Sequence, residues 1–231
     1  MEKSKLMKKK AIVNLATDIE RYKFGQDRLQ KSYVTHHSGN DNYQENVPSL
    51  HLLLGENSVG CPAHNLNPYA FKIHAIEDLK NRDYEQILWL DSSIVFVKNS
   101  KPIFDWIEEK GFFFEEAGHW VGSWCNERTL DYFKITREEA MTMPMFSAGF
   151  TGLDFTNSKA IEFFERWKTS MIDGQFIGEW SDHRHDMTCA SIIANQMGMV
   201  KDYSTGGQYF AYIGGGYTEP KESVICHLIG L

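Results

Sequence analysis

The chain has no apolar run approaching the roughly 20 residues that span a bilayer. Its lysine-rich start leads into only about six mostly apolar residues, too few for an export signal. Neither a membrane anchor nor a signal peptide is expected. Cysteine is scarce: Cys61, Cys125, Cys189 and Cys226 lie far apart, with no C-x-x-C pair. That spacing offers neither a zinc site nor a disulfide framework, and reduced core thiols in a cytoplasmic protein are the simplest reading. Positive charge is also short, with 24 Lys and Arg against 31 Asp and Glu and a net charge of −7. The one basic cluster, Lys8, Lys9 and Lys10, reads as a solvated start, so nucleic-acid backbone binding is not expected. No G-x-G-x-x-G follows the first strand and no Walker A motif occurs, which removes the main sequence reasons to expect NAD or ATP. Repeats and low-complexity segments are absent as well.

What is present is an alternation of periods. With 231 residues, 42% of them apolar, the chain can fill one large core, and residues 1–231 are expected to form one domain. Residues 10–16 read as a strand and 24–36 as a helix. A second strand at 49–54 is followed by a Gly-, Asn- and Pro-rich loop over 55–68 and a helix over 69–81. The fully apolar run at 86–91 reads as an interior strand. Such alternation predicts an α/β fold with a mainly parallel sheet flanked by helices. The second half is more mixed, with strands at 111–115 and 145–155 and helices at 126–134, 157–172 and 186–197. A short helix is expected over 137–143, and strand-like pieces near 208–213 and 223–227.

The most informative stretch is Gln86-Ile-Leu-Trp-Leu-Asp91-Ser92-Ser93, where one carboxylate and two hydroxyls follow a buried strand directly. In open α/β sheets ligands gather where strands end, so Asp91 is expected to hold a ligand, although an Asp capping a β-turn is the simpler structural alternative. Asn14, Leu15, Ala16 and Thr17 end the first strand on the same edge. Lys72, on an otherwise amphipathic helix, is a cation that could neutralise diphosphate charge. Trp180-Ser-Asp182-His183-Arg184-His-Asp186 is the densest polar cluster and runs straight into a helix, where a carboxylate caps free amides. His227 ends an apolar run, as a core histidine often does.

The helix, strand and acid unit resembles the metal-binding element of GT-A nucleotide-sugar glycosyltransferases, with Ser93 where a second Asp is usual. The likeness extends through Ala11-Ile-Val-Asn-Leu-Ala-Thr17, Pro68-Tyr-Ala-Phe-Lys72, Trp89-Leu-Asp-Ser-Ser-Ile94, Phe112-Phe-Phe-Glu115 and His183-Arg-His-Asp-Met-Thr188. These segments are similar to those of a small group that includes chlorella-virus enzymes acting on capsid glycans. The resemblance implies a single GT-A domain, its nucleotide-binding part about 10–100 and its acceptor part about 101–231. It implies transfer from a nucleoside diphosphate sugar, most simply a UDP-sugar, to a glycan or other hydroxyl acceptor.

Under that resemblance Asn14, Leu15, Ala16, Thr17, Lys72, Asp91, Ser92 and Ser93 hold the donor, and Asp91, Ser93 and His227 hold Mn2+ or Mg2+. Manganese tolerates an imidazole ligand better. Asp186, or else Asp182, becomes the base of an inverting reaction. A helix N-terminus would lower the pKa of Asp186, a penalty that Asp182 escapes. Trp180, His183, Arg184 and Gly149 fall on the acceptor side. Two other readings compete. One is a metal-dependent hydrolase using His183, His185 and Asp186. The other is a non-catalytic carbohydrate-binding domain, which would explain the tryptophans but leave Asp91 without a purpose.

Overall fold

The computed structural model describes residues 8–38, 47–200, 210–212 and 225–228. The chain runs through β1 (Lys10–Ala16), α1 (Glu20–His37), β2 (Ser49–Leu54), α2 (Ala70–Asn81), β3 (Gln86–Leu90), β4 (Ile94–Phe96) and α3 (Lys101–Lys110). There follow β5 (Phe112–Trp120), α4 (Glu127–Phe133), α5 (Arg137–Ala140), β6 (Pro144–Asp154), α6 (Ser158–Ile172), α7 (His185–Gln196), β7 (Phe210–Tyr212) and β8 (Cys226–Leu228). The main sheet has the order β2-β1-β3-β6-β5. Its first three strands are parallel, while β6 joins β3 and β5 antiparallel. A second small sheet has the order β4-β8-β7. The architecture is therefore α/β with a parallel front half and a mixed back half. Among the described residues, no helix is long and apolar enough to cross a membrane.

Alternation along each strand divides the core between the two faces of the sheet. Ala11, Val13, Leu15, Ile87 and Trp89 pack on one side with residues of α2, α6 and α7. Ile12, Leu88 and Leu90 pack on the other with Leu29 of α1 and with Ile103, Phe104 and Ile107 of α3. β3 is buried along its whole length, as a central strand covered on both faces must be. Because β1, β2 and β3 are parallel, their last residues, Ala16, Leu54 and Leu90, lie along one edge of the sheet. The chain leaving that edge is what builds the site.

Two elements have no counterpart in the sequence reading, β4 and α3. α3 starts with Pro in its first turn and stops at Gly111, which takes φ 87°. It is joined to the end of α1 by His37. The Ser100 amide donates to His37 Nε2 at 3.1 Å, so the ring proton is on Nδ1, which faces the Tyr33 carbonyl at 2.9 Å. Burial pulls this imidazole down from 6.5 to about 4.

His183, also buried, is likewise lowered from 6.5 to about 4, first by desolvation. Between those two values the unfolded chain binds the proton and the folded chain does not. Stability is therefore lost as pH falls from 6.5 to 4, by at most about 3 kcal/mol per imidazole. Urea denaturation at pH 7 and pH 4.5 should show this fall, and His37→Gln should remove part of the pH slope. An unchanged slope in that variant would assign the titration to other groups.

Candidate active site

Asp91 follows β3 at the edge just described. Its amide donates to Gly149 O at 2.9 Å and its carbonyl accepts from Ile94 N at 3.0 Å, making a tight turn into β4. The side chain does not cap that turn. Oδ1 instead accepts from Trp89 Nε1 at 2.7 Å and lies 3.2 Å from Lys72 Nζ. Lys72 reaches it from α2, and the same ammonium is 3.0 Å from Asp186 Oδ2 and donates to Ala148 O at 3.1 Å. Burial lowers the pKa of Lys72, but Asp186 and Asp91 together outweigh it and hold the group above the ordinary lysine value.

Asp186 lies in the first turn of α7 and makes no capping bond; the N-cap is Arg184. Its Oδ2 is paired with Lys72 and has no further partner among the described residues. Desolvation raises its pKa, the pull of Lys72 only partly opposes this, and the like charge of Asp91 adds to the rise. The sequence argument for a lowered value fails because burial exceeds the helix-terminus effect. The helices carrying Lys72 and Asp186 both begin at non-glycine residues in the left-handed region, Tyr69 at φ 61° and His185 at φ 48°. Such conformations cost about 1–3 kcal/mol each and cluster at functional sites.

Two cavities meet at Asp91, Tyr69 and Trp180. The larger, of about 680 Å³, is lined from the sheet edge by Leu15, Thr17, Ser92 and Ser93. Thr17 Oγ1 is buried there without a hydrogen-bond partner among the described residues. The smaller, of about 400 Å³, is lined by Lys72, Gly149, Arg184 and Asp186. Both volumes are in the range of ligand sites. Trp180, 54% exposed, forms part of both walls. It is held by Arg184, whose guanidinium carbon lies 4.0 Å from its ring centre and 3.7 Å from that of Trp124.

Not every expected residue joins these walls. Asn14 is buried and binds Leu90 O, Ser92 Oγ and Gln26, a clip beneath the site. Ala16 is buried and contributes its carbonyl to Gly55 N. His183 is fully buried, with Nε2 at 2.8 Å from Gln175 O, and Asp182 is exposed and lines neither cavity. His185 Nδ1 is spent on Phe176 O. Among the described residues His183, His185 and Asp186 do not form a group that could hold a metal, so the hydrolase reading loses its ligand set. The side chain of His227 lies outside the described residues; its backbone, in β8, sits opposite Val95 of β4.

Sequence reasoning overlooked Glu56, His64, Arg21, Tyr22 and Tyr69 in the larger cavity and His119 in the smaller. The rule that ligands gather at strand ends could have found Glu56 and His64, since both follow β2. His119 enters its cavity beyond two register shifts in β5, and such bulges re-aim side chains.

A divalent cation needs hard oxygen donors. Asp91 Oδ2 and Ser93 supply that chemistry, and a Cβ on Gly149 would stand 2.7 Å from Oδ2, so glycine keeps space open beside it. Among the described residues no group of three or more His, Cys, Asp or Glu is arranged to hold a metal. Two protein oxygens are an incomplete set for such an ion, so these residues fit one only with further ligands from elsewhere.

No protein-family model matches the chain, and no curated protein matches it in sequence. Solved structures do resemble it. Mouse xyloside xylosyltransferase 1 is 10% identical with a TM-score of 0.56, covering 95% of this chain and 97% of that one. A glycosyltransferase involved in glycosylation of the major capsid of PBCV-1 is 12% identical with a TM-score of 0.54, covering 95% and 93%. The bifunctional glycosyltransferase WbbM is 11% identical with a TM-score of 0.54; the match covers 94% of this chain and 42% of WbbM. The chain has the GT-A fold of these glycosyltransferases.

The ion triad makes a stability prediction independent of any ligand. Lys72→Met strands two carboxylates, one of them buried, and should cost about 3–5 kcal/mol in urea denaturation. Adding Asp186→Asn to that variant should recover a large part of the loss. Additive costs in the double variant would mean that the two side chains are not coupled.

Proposed function

We propose that this protein is a glycosyltransferase that moves a sugar from a nucleoside diphosphate donor, most simply a UDP-sugar, to a hydroxyl of a glycan acceptor. The observation that carries this reading is Asp91, an acid at the sheet edge where two ligand-sized cavities meet. A single-site binding module would need only one cavity and no shared carboxylate. The fold supports the same class of reaction.

In this reading the larger cavity takes the nucleotide, with Leu15, Thr17, Ser92 and Ser93 along the sheet edge. The smaller takes the transferred sugar and the acceptor hydroxyl, beside Gly149, Trp180 and Arg184. Asp91 and Ser93 hold a divalent cation, manganese in preference to magnesium if His227 is a further ligand. The pairing of β8 with β4, which begins three residues after Asp91, supports that last assignment. When bound, the cation stabilises charge on the departing diphosphate as a Lewis acid. Asp186 takes the acceptor proton. It lines the smaller cavity and its raised pKa suits a base working near neutrality better than an ordinary aspartate would. Inversion at the sugar follows from that assignment. Asp182, which lines neither cavity, is the weaker candidate.

Calorimetry with UDP, with and without manganese, tests the donor and metal assignments. Binding should be strongly metal-dependent in the wild type and lose that dependence in Asp91→Asn, which should still fold but with a lowered thermal midpoint because Lys72 loses one of its two carboxylates. Normal manganese-dependent affinity in the variant would overturn the metal assignment. For the base, Asp186→Asn should lower transfer by roughly two to four powers of ten with UDP affinity nearly unchanged. The assay is a screen of nucleotide sugars against glycan acceptors. Asp182→Asn should be close to wild type; near-normal transfer in both variants would remove the base and the reason for inversion.

A further inference from the structure

We propose that Trp89 is a positioning residue for Asp91: its indole N–H holds Oδ1 and so presents Oδ2 as the one carboxylate oxygen this aspartate offers to the cation of a bound nucleoside diphosphate. The inference rests on the donor and metal reading above and adds a residue with no contact to either cavity.

The geometry is one-sided. Oδ1 is occupied twice, by Trp89 Nε1 at 2.7 Å and by the Lys72 ammonium at 3.2 Å. Oδ2 faces the place where Gly149 lacks a side chain, and even one carbon there would stand 2.7 Å away. The donor is immobile: Trp89 is fully buried among residues of the central strands and α2. Asp91 itself is not, with a side chain 34% exposed. A half-exposed carboxylate has several rotamers, and choosing one costs conformational entropy when a ligand binds. A fixed indole two residues earlier removes that cost in advance. Residues i and i+2 of a strand share a face, which is why Trp89 can reach the residue just past the strand end. Phenylalanine would fill nearly the same space without the N–H.

The plainer role for this contact is that a buried indole N–H needs an acceptor. The two roles separate experimentally. If Trp89 only satisfies itself, Trp89→Phe changes stability and leaves ion binding alone. If it positions Asp91, the variant should lose about 10- to 100-fold in manganese-dependent UDP affinity, the usual effect of losing a group that orients a metal ligand. UDP affinity in EDTA should then change less than twofold. Calorimetry gives both values and paramagnetic resonance of free manganese gives an independent count. Manganese-dependent affinity within threefold of wild type would overturn the proposal.

A wild type without metal-dependent UDP binding would instead remove the underlying metal reading, and this inference with it. Should the variant not fold, the wild type still answers. The 15N-labelled Trp89 indole resonance should exchange slowly with solvent and stay protected when magnesium and UDP are added. Loss of protection on loading would show that the bond breaks when the ion arrives, contrary to the proposal.

Discussion

Everything at this site depends on a single buried ammonium. Lys72 sits beyond the reach of water, where a lone cation is untenable, and its three partners come from three different parts of the chain: Asp91 after β3, Ala148 in β6 and Asp186 in α7. Desolvation favours losing the proton, yet two carboxylates within about 4 Å outweigh it. The consequence is mechanical as well as electrostatic. Helix α2 is tied to both halves of the sheet and to the first turn of α7, so the edge that carries Asp91 cannot move independently of the wall that carries Asp186. The left-handed starts at Tyr69 and His185 are the local cost of aiming the two helices at this point, and the triad offsets it.

Among the described residues the two cavities offer little uncommitted positive charge. Arg184 lies in the smaller one, but its guanidinium is stacked between Trp124 and Trp180 and also donates to the Trp180 carbonyl. Its role is to hold Trp180 upright as the partition. Lys72 is equally committed. Of the described cations lining the two cavities, only Arg21, exposed at the rim of the larger, is left to meet a phosphate, and it already donates to Tyr22. A diphosphate entering here would find few protein cations to neutralise it, which is why a metal ion and the open space at Asp91 Oδ2 make sense together.

How much of this was legible beforehand follows from what each signal measures. Strands β1 and β3 and helices α2, α6 and α7 show in the sequence because their apolar periods report burial directly, whereas β2 shows by its apolar run although none of its residues is buried. Asp91 was legible because a strand end in a parallel sheet is a geometric address. α3 is bracketed by Ser100, Pro102 and Gly111 and buries Ile103, Phe104 and Ile107 at helical spacing, a short signal that the strands on either side mask. His183 illustrates the opposite error. It lies in the densest polar cluster, but polarity in sequence does not say which way a ring turns, and Gln175 supplies the carbonyl that takes it into the core. Asp186 was placed correctly at a helix start and given the wrong electrostatics. A sequence reveals the helix terminus but not the lysine that arrives from more than a hundred residues away, nor the burial that outweighs both.

Ser93 in place of a second carboxylate can then be understood through charge. Asp91, Asp186 and Lys72 together leave one uncompensated negative charge at the meeting point of the cavities. A divalent ion bound there would turn this into one positive charge, directed at the diphosphate. A second aspartate at position 93 would cancel even that, in a region with little other cation to spare. The resident lysine binds one Asp91 oxygen, the glycine at 149 keeps the other free, and in the proposed reading the serine would supply an oxygen ligand without adding charge. In the proposed reading the departure from the usual Asp-x-Asp is the counterpart of burying Asp186 beside Asp91: one carboxylate would stand on the acceptor side instead of the metal side, with Lys72 paired to both.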